Sequence, residues 1–280
     1  MRRRLLYARF RVLWPLLRPL RAYVFPPGPR RGKDFLLHRV LRPMIPPDPQ
    51  ASFVARLPGG GRLRLRRGEA IGFEILLHGG FEAAESCYLC SRARAGTTAL
   101  DVGANVGLFT VPLARAVGPV GQVVAIEPDS ENVARLEANL RLNRLENVLV
   151  ERVAAGDGDG EIELHVANDP AFHSTVAVHA GRGVGRALRV PVTRLDTIWI
   201  RLGRPAVSTI KVDVEGAELA VLRGAETLLR EARPALLLEA NTAEHRRALT
   251  EWLAQRSYAR RTEPGFADWS FAFEPTGPAP

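Results

Sequence analysis

From about residue 97 onward, strand-like and helix-like stretches alternate. The alternation predicts an α/β fold built on a doubly wound, mostly parallel sheet. Two features place a ligand on that sheet. The run LDVGANVGLFT at 100–110 is an apolar strand ending in Asp101, a bend through Gly103, Asn105 and Gly107, and the start of an apolar helix. The run VVAIEP at 123–128 is a second strand, ending in Glu127 twenty positions beyond Gly107. Glycines let the backbone approach a ligand, and an acidic residue at the next strand end takes ribose hydroxyls. This is the architecture of a Rossmann-like nucleotide-cofactor site.

The elements follow in order. Residues 1–31 form a basic, apolar, proline-broken arm in which Arg9, Arg11, Arg18 and Arg21 interrupt every apolar run. It is too charged to span a bilayer and lacks the uninterrupted core of a signal peptide. Its leucines, Phe10 and Trp14 set against arginines suit an amphipathic helix on an anionic membrane, a helix packed on the domain, or a tail, and Pro15 and Pro19 restrict any helix to short pieces. Residues 26–49 read as a proline-rich linker. Residues 53–65 alternate as a hairpin around 58–61, and a helix is expected over 83–94. Core strands are expected at 99–102, 123–126, 148–153, 209–213 and 235–239. The helices between them fall at 108–116, 130–142, 217–231 and 243–255. Extra strands at 160–166 and 187–192 and closing strands within 258–273 complete the sheet system. The organisation is thus an arm and linker over 1–50, a hairpin and helix lid over 51–96, and the Rossmann-like domain over 97–275.

With 280 residues, 46% hydrophobic and 25% charged, the chain buries a full core as an ordinary globular protein. The net charge of +9 comes almost wholly from arginine: Lys33 and Lys211 are the only lysines among 39 basic residues. Such a skew, with abundant Ala, Gly and Pro, fits a GC-rich bacterial genome and weakens the charge as a sign of nucleic-acid binding. Cys87 and Cys90 have no second pair and no neighbouring histidine to complete a zinc site. They read as two buried thiols on a helix face in a reducing, cytoplasmic compartment, with peripheral attachment to the inner membrane face left to the arm.

The carboxylate of Asp101 discriminates among cofactors. A pyrophosphate at this turn would be repelled by it, which disfavours a nicotinamide oxidoreductase. S-adenosylmethionine instead brings a positive α-ammonium and a positive sulfonium. Asn105 also stands where a dinucleotide fold wants a glycine. Ligands of open parallel sheets bind outside the carboxyl ends of the strands. Those ends carry Asp101, Glu127, the 154–157 turn, Asp213 with Glu215, and Glu239. So many carboxylates on one edge call for a cation, a ligand or an arginine. In IKVDVEGAE (210–218), Asp213 ends a strand where substrate would lie, Gly216 opens a helix, and Glu215 and Glu218 suit its positive N-terminus. Lys211 is expected to pair with a nearby acid.

The runs LDVGANVGLFT, VVAIEPDSENVARLEANLRLN, VPVTRLDTI and IKVDVEGAELAVLRGA, in that order, resemble the FkbM family of methyltransferases. The upstream LLHGGFE, ending at Glu82, resembles the family's entry segment. The resemblance covers residues 53–241 and implies a class I methyltransferase fold using S-adenosyl-L-methionine. By motif, it implies that Glu82, Asp101, Gly103, Asn105 and Gly107 serve the cofactor, with the last four at its methionine end. Glu127 would hold the ribose, and Ala154 to Asp157 would border the adenine. Asp213 would face the transferring methyl.

An alcohol is a poor nucleophile, so transfer to oxygen wants a general base: Asp213 first, with Glu239 or Glu215 behind it. His173 and His179 lie in an inserted segment able to cover the site. A divalent metal held by Asp213, Glu215 and Glu239 is an alternative that no metal-ligand spacing supports. The family implies a hydroxyl acceptor on a sugar, glycan or polyketide-type product, and no nucleic-acid partner is expected. Two other readings stay open: an RNA or protein methyltransferase, and a catalytically silent, membrane-associated protein of the same fold. Against methylation of nitrogen, the fourth strand ends in DVEG and lacks a Pro-Pro-aromatic tip.

Overall fold

The computed structural model describes residues 51–167 and 184–277. The arm, the linker, His173 and His179 lie outside the described residues. Within them the chain divides into two compact units, 51–55 with 64–81 and 56–63 with 82–277. Strands β1 (Ser52–Arg56) and β2 (Arg62–Arg66) form a two-stranded sheet. Its turn is closed by the Gly60 N–H on the Leu57 carbonyl at 3.0 Å. In the smaller unit, helix α1 (Ala70–His78) ends on Gly79 in the left-handed conformation, which glycine adopts without penalty. Helix α2 (Ala83–Arg92) belongs to the larger unit and lies against strands of the main sheet.

That sheet begins with β3 (Thr98–Val102), followed by α3 (Thr110–Ala116), β4 (Gln122–Ile126), α4 (Ser130–Asn143) and β5 (Val148–Glu151). Two short-range excursions come next, β6 (Ala154–Ala155) and the hairpin partners β7 (Gly160–Ala167) and β8 (Val184–Thr193). They make a separate three-stranded sheet in the order β6-β8-β7. Helix α5 (Leu195–Arg201), β9 (Val207–Val212), α6 (Glu218–Arg223), α7 (Glu226–Ala232), β10 (Ala235–Glu239), α8 (Ala243–Ala254), β11 (Tyr258–Arg261) and β12 (Ser270–Pro275) complete the chain.

The strand order of the seven-stranded sheet is β11-β12-β10-β9-β3-β4-β5. Pairings within β5-β4-β3-β9-β10 are parallel, and β12 and β11 close the edge antiparallel. This is the Rossmann-like, mostly parallel doubly wound sheet expected from the sequence. Chain order reverses between β3 and β9, and the crevice at that switch point is where such sheets bind ligands.

Alternation along the central strands sorts residues between two helical layers. Leu100 and Val102 of β3, Ile210 and Val212 of β9, and Leu236 and Leu238 of β10 pack with residues of α5 to α8 into the main core. Asp101 and Lys211 point to the opposite side, toward Thr110 and Phe109 at the start of α3. One expected helix, 217–231, is broken into α6 and α7 at Gly224. A β-carbon at Gly224 would lie 1.9 Å from the Gly156 carbonyl oxygen, so close backbone approach fixes both the glycine and the break. The Asp196 carboxylate accepts the Thr227 and Leu228 N–H groups at 3.0 and 2.8 Å and so restarts the chain as α7.

The thiol pair differs from expectation in one respect: Cys87 is exposed while Cys90 is partly covered, and both are free. Burial, and secondarily Cys87, push the Cys90 thiol up to about 11, which leaves it a poor nucleophile. No helix among the described residues is long and apolar enough to cross a membrane.

Candidate active site

The Gly-rich turn after β3 is shaped by the protein around it. A β-carbon at Gly103 would stand 1.8 Å from the Asp213 carbonyl oxygen, and one at Gly107 would stand 2.8 Å from Leu136 Cδ1. Both glycines have left-handed φ, +77° and +98°. Their glycine character therefore serves the close approach of β9 and α4. Asn105, also left-handed at φ 48°, aims its N–H at Glu127 Oε2, 2.8 Å away.

Glu127 follows β4 and is buried. Its Oε1 accepts the Asp129 N–H at 3.0 Å and the Asn132 side-chain amide at 3.4 Å. Asp129 in turn caps α4 through the Glu131 and Asn132 N–H groups. Burial pushes the Glu127 carboxyl up to about 7 against the pull of these amides. The carboxylate thus joins the end of β4 to the Gly-rich turn.

Asp101, expected at the methionine end of a cofactor, is fully buried. Its Oδ2 accepts the Thr110 hydroxyl at 2.5 Å, while Oδ1 lies 3.8 Å from Lys211 Nζ. Burial raises its pKa and the Lys211 charge opposes that rise. The structure therefore places Asp101 beneath the turn. Ala154 and Ala155 are buried in β6 and pair with Val192 and Thr193 of β8, while Asp157 beyond them is exposed. Of the segment expected near an adenine, Asp157 is the residue whose side chain reaches open surface.

On the other side of the switch point the carboxylates gather. Asp213 directly follows β9 and remains 28% exposed at its side chain. Oxygens of Asp213, Glu215 and Glu239 lie within 4.8 Å of one another, a spacing that a shared proton or a cation relieves. Burial first and the Asp213 charge second push the Glu239 carboxyl up, and the two side chains hydrogen-bond to each other, so a proton held here belongs to the pair. Glu82, at the N-terminus of α2 with φ 48°, belongs to the same group. Burial and Asp213 raise it to about 7, with Lys211 opposing. The Trp269 indole N–H donates to Glu82 Oε1 at 3.2 Å. Glu218, expected at the helix start, turns inward: its Oε1 accepts the Val214 and Gly216 N–H groups at 3.0 and 3.1 Å and braces the turn that carries Glu215.

Lys211 lies among these acids. Its Nζ is 3.0 Å from Asp213 Oδ2 and donates to the Gly103 carbonyl at 2.9 Å. Burial disfavours its charge, but Asp213 and Asp101 outweigh burial and hold the ammonium above its ordinary range. The expectation that Lys211 pairs with a nearby acid is met, although the sequence did not mark it as a site residue. Trp269, Thr110 and Asn132 also carried no sequence signal. The one available for Lys211 was a rare lysine inside the apolar strand VSTIKV.

The surplus of carboxylates over cations at this edge fits a ligand with positive centres, and Glu127 suits one that presents hydroxyls. Fold and site together define the class: a Rossmann-like α/β protein whose nucleotide-cofactor edge is acidic, as a sulfonium donor requires. The family model for the methyltransferase FkbM domain matches residues 101–260, and the chain belongs to the FkbM methyltransferase family. The cofactor of that assignment is S-adenosylmethionine.

Two curated relatives are similar over part of their length. Methyltransferase 1 of Beauveria bassiana (strain ARSEF 2860) is 26% identical over 157 residues, which cover 50% of this chain and 63% of that protein. The protein-L-isoaspartate O-methyltransferase of Caenorhabditis elegans is 35% identical over 106 residues, covering 38% of this chain and 46% of that protein. The chain thus spans less than two thirds of either relative. Among solved structures, a methyltransferase FkbM from Methylobacillus flagellatus KT aligns with TM-score 0.46 at 20% identity, covering 71% of this chain and 51% of the other. A SAM-dependent methyltransferase from Aquifex aeolicus aligns with TM-score 0.40 at 17% identity, covering 68% and 87%.

Proposed function

We propose that the protein transfers a methyl group from S-adenosylmethionine to a hydroxyl oxygen of a sugar, glycan or polyketide-type acceptor. The observation that carries this reading is the gathering of a partly exposed carboxylate, Asp213, with Glu215, Glu239 and the Lys211 ammonium at the carboxyl edge. When bound, the donor supplies an electrophilic methyl group on a positively charged sulfur. Glu127 would hold its ribose hydroxyls and the Gly103–Asn105 turn its methionine end. Asp213 accepts the proton of the acceptor hydroxyl as that oxygen becomes nucleophilic, and positioning supplies much of the rate. Glu239 hydrogen-bonds to Asp213 on one side and Lys211 pairs with it on the other, so the base is held in place.

Trp269 supports a ring-shaped, hydroxylated acceptor. Its backbone carbonyl accepts the Ala240 N–H at 2.8 Å, which sets it one residue beyond Glu239 at the carboxyl edge. Its indole is 38% exposed and anchored at one end by Glu82. An anchored aromatic face beside half-buried carboxylates offers a saccharide an apolar wall and acceptors for its hydroxyls.

Labelled methyl transfer from S-adenosylmethionine to a panel of hydroxylated glycosides, polyketide alcohols, peptides and RNA tests the proposal. Product on a hydroxylated small molecule or glycan, lost in Asp213→Asn, is the expected result. Product on peptide or RNA would replace this reading with the protein or RNA alternative. A folded protein that binds donor but methylates nothing would favour the silent one.

A further inference from the structure

A lysine in the middle of a fully buried strand is expensive to keep. Removing an ammonium from water costs several kcal/mol unless its partners are well placed, and an apolar residue of similar volume would serve packing as well. β9 is buried along its whole length, yet Lys211 sits in it with 5% exposure. Its three polar contacts are all on the carboxyl edge. Gly103 carbonyl and Asp101 Oδ1 belong to β3 and the turn that follows it, and Asp213 Oδ2 belongs to the end of β9. The Phe109 ring lies 5.3 Å from the ammonium and closes the pocket from the start of α3. The Gly103 turn is held on its other side by the Gly103 and Ala104 N–H groups, which donate to the Ile126 carbonyl of β4. The turn is therefore held by β4 on one side and, on the β9 side, by the Lys211 side chain beside the Asp213 N–H, which donates to the Val102 carbonyl at 3.1 Å. Asn139 of α4 donates to the turn's Val106 carbonyl at 2.8 Å. The Lys211 side chain is also the counter-charge of the carboxylate assigned to the chemistry.

We propose that Lys211 is a positioning residue that couples the donor turn to the reactive carboxylate, holding the Gly103 carbonyl and Asp213 in fixed relation across the switch point. The inference rests on the methyltransferase reading of this site. It makes Lys211 a joint between the two halves: movement of the turn when donor enters is transmitted to the position of Asp213.

The scarcity of lysine makes the test direct, since the chain holds only Lys33 and Lys211. Full-length protein labelled with carbon-13 at lysine Cε gives two lysine signals, and Lys211→Met assigns them. The Lys211 signal is expected to shift in Asp213→Asn and to shift again when wild type is saturated with S-adenosylhomocysteine, while Lys33 stays still in both. In Lys211→Met, S-adenosylhomocysteine binding is expected to weaken about tenfold, the scale of one charge-assisted hydrogen bond. Should that variant fail to fold, selective loss of one lysine signal in Lys33→Arg supplies the assignment, and the two shifts carry the test. A Lys211 signal that answers to only one of Asp213→Asn and ligand, or to neither, overturns the coupling. Wild type that does not bind S-adenosylhomocysteine, with the Asp213→Asn shift intact, refutes the donor site and leaves Lys211 a structural counter-ion.

Discussion

At the end of β4 the Glu127 carboxylate is met by the Asn105 and Asp129 N–H groups and the Asn132 amide. At the ends of β9 and β10, Asp213 and Glu239 are met by each other and by Lys211. Both regions crowd acids onto one sheet edge, but they offset the cost differently. Fixed dipoles suit a group that must accept hydrogen bonds from a ligand without changing its own state. A cluster whose members share protons and one ammonium suits a place where a proton must move. Under the proposed function the first region would serve binding and the second chemistry, and Gly103 with Lys211 is where they touch.

Substitutions break this contrast in order of size. Asp213→Asn should lower methyl transfer by on the order of 10²–10⁴-fold, the usual reach of a general base, while S-adenosylhomocysteine affinity stays within about threefold. Single-turnover assays beside calorimetry separate the two effects. Gly103→Ala forces a β-carbon against the Asp213 carbonyl in a left-handed backbone. It should cost on the order of 2–4 kcal/mol, read as a lower denaturant midpoint. Glu127→Ala should weaken S-adenosylhomocysteine roughly 10- to 100-fold, since hydrogen bonds to a charged group are worth about 1.5–3 kcal/mol.

A pH effect sharpens the same contrast. Burial raises the Glu127 carboxyl from the ordinary carboxylate value of 4.5 to about 7, so the folded state binds more protons between those values. Stability contributed by this group therefore falls as pH rises from about 4.5 to about 7 and is flat above. Glu82 and Glu218, raised likewise, add to the slope. Denaturant melts across that window should show a shallower decline in Glu127→Gln than in wild type. The smallest effect is reserved for Trp269→Phe, which keeps an aromatic face and removes the bond to Glu82. It should raise acceptor KM only a few-fold, roughly the worth of one neutral hydrogen bond, and leave donor affinity unchanged.

Much of the frame was legible in the sequence. Apolar strands ending in an acid, glycine after them and periodic helices located β3, β4, β9 and β10 and the edge on which Asp101, Glu127, Asp213 and Glu239 stand. These signals are local, and local rules recover them. What stayed hidden was set by distant contacts. Nothing near Glu82 announces Trp269, 187 positions later, and nothing near Gly224 announces the Gly156 carbonyl that forbids a side chain there. Nor does the turn itself announce that a side chain at Gly103 would meet the Asp213 carbonyl and one at Gly107 would meet Leu136. Asp101 pairs in register across β3 and β9 with Lys211, and nothing local to either residue announces that contact.

Calorimetric titration of S-adenosylhomocysteine into the full-length protein, Glu127→Ala and Asp213→Asn tests the division of labour most directly. The account predicts saturable binding by wild type, retained within about threefold in Asp213→Asn and weakened at least about tenfold in Glu127→Ala. Equal loss in both variants, or no binding by folded wild type, would contradict it.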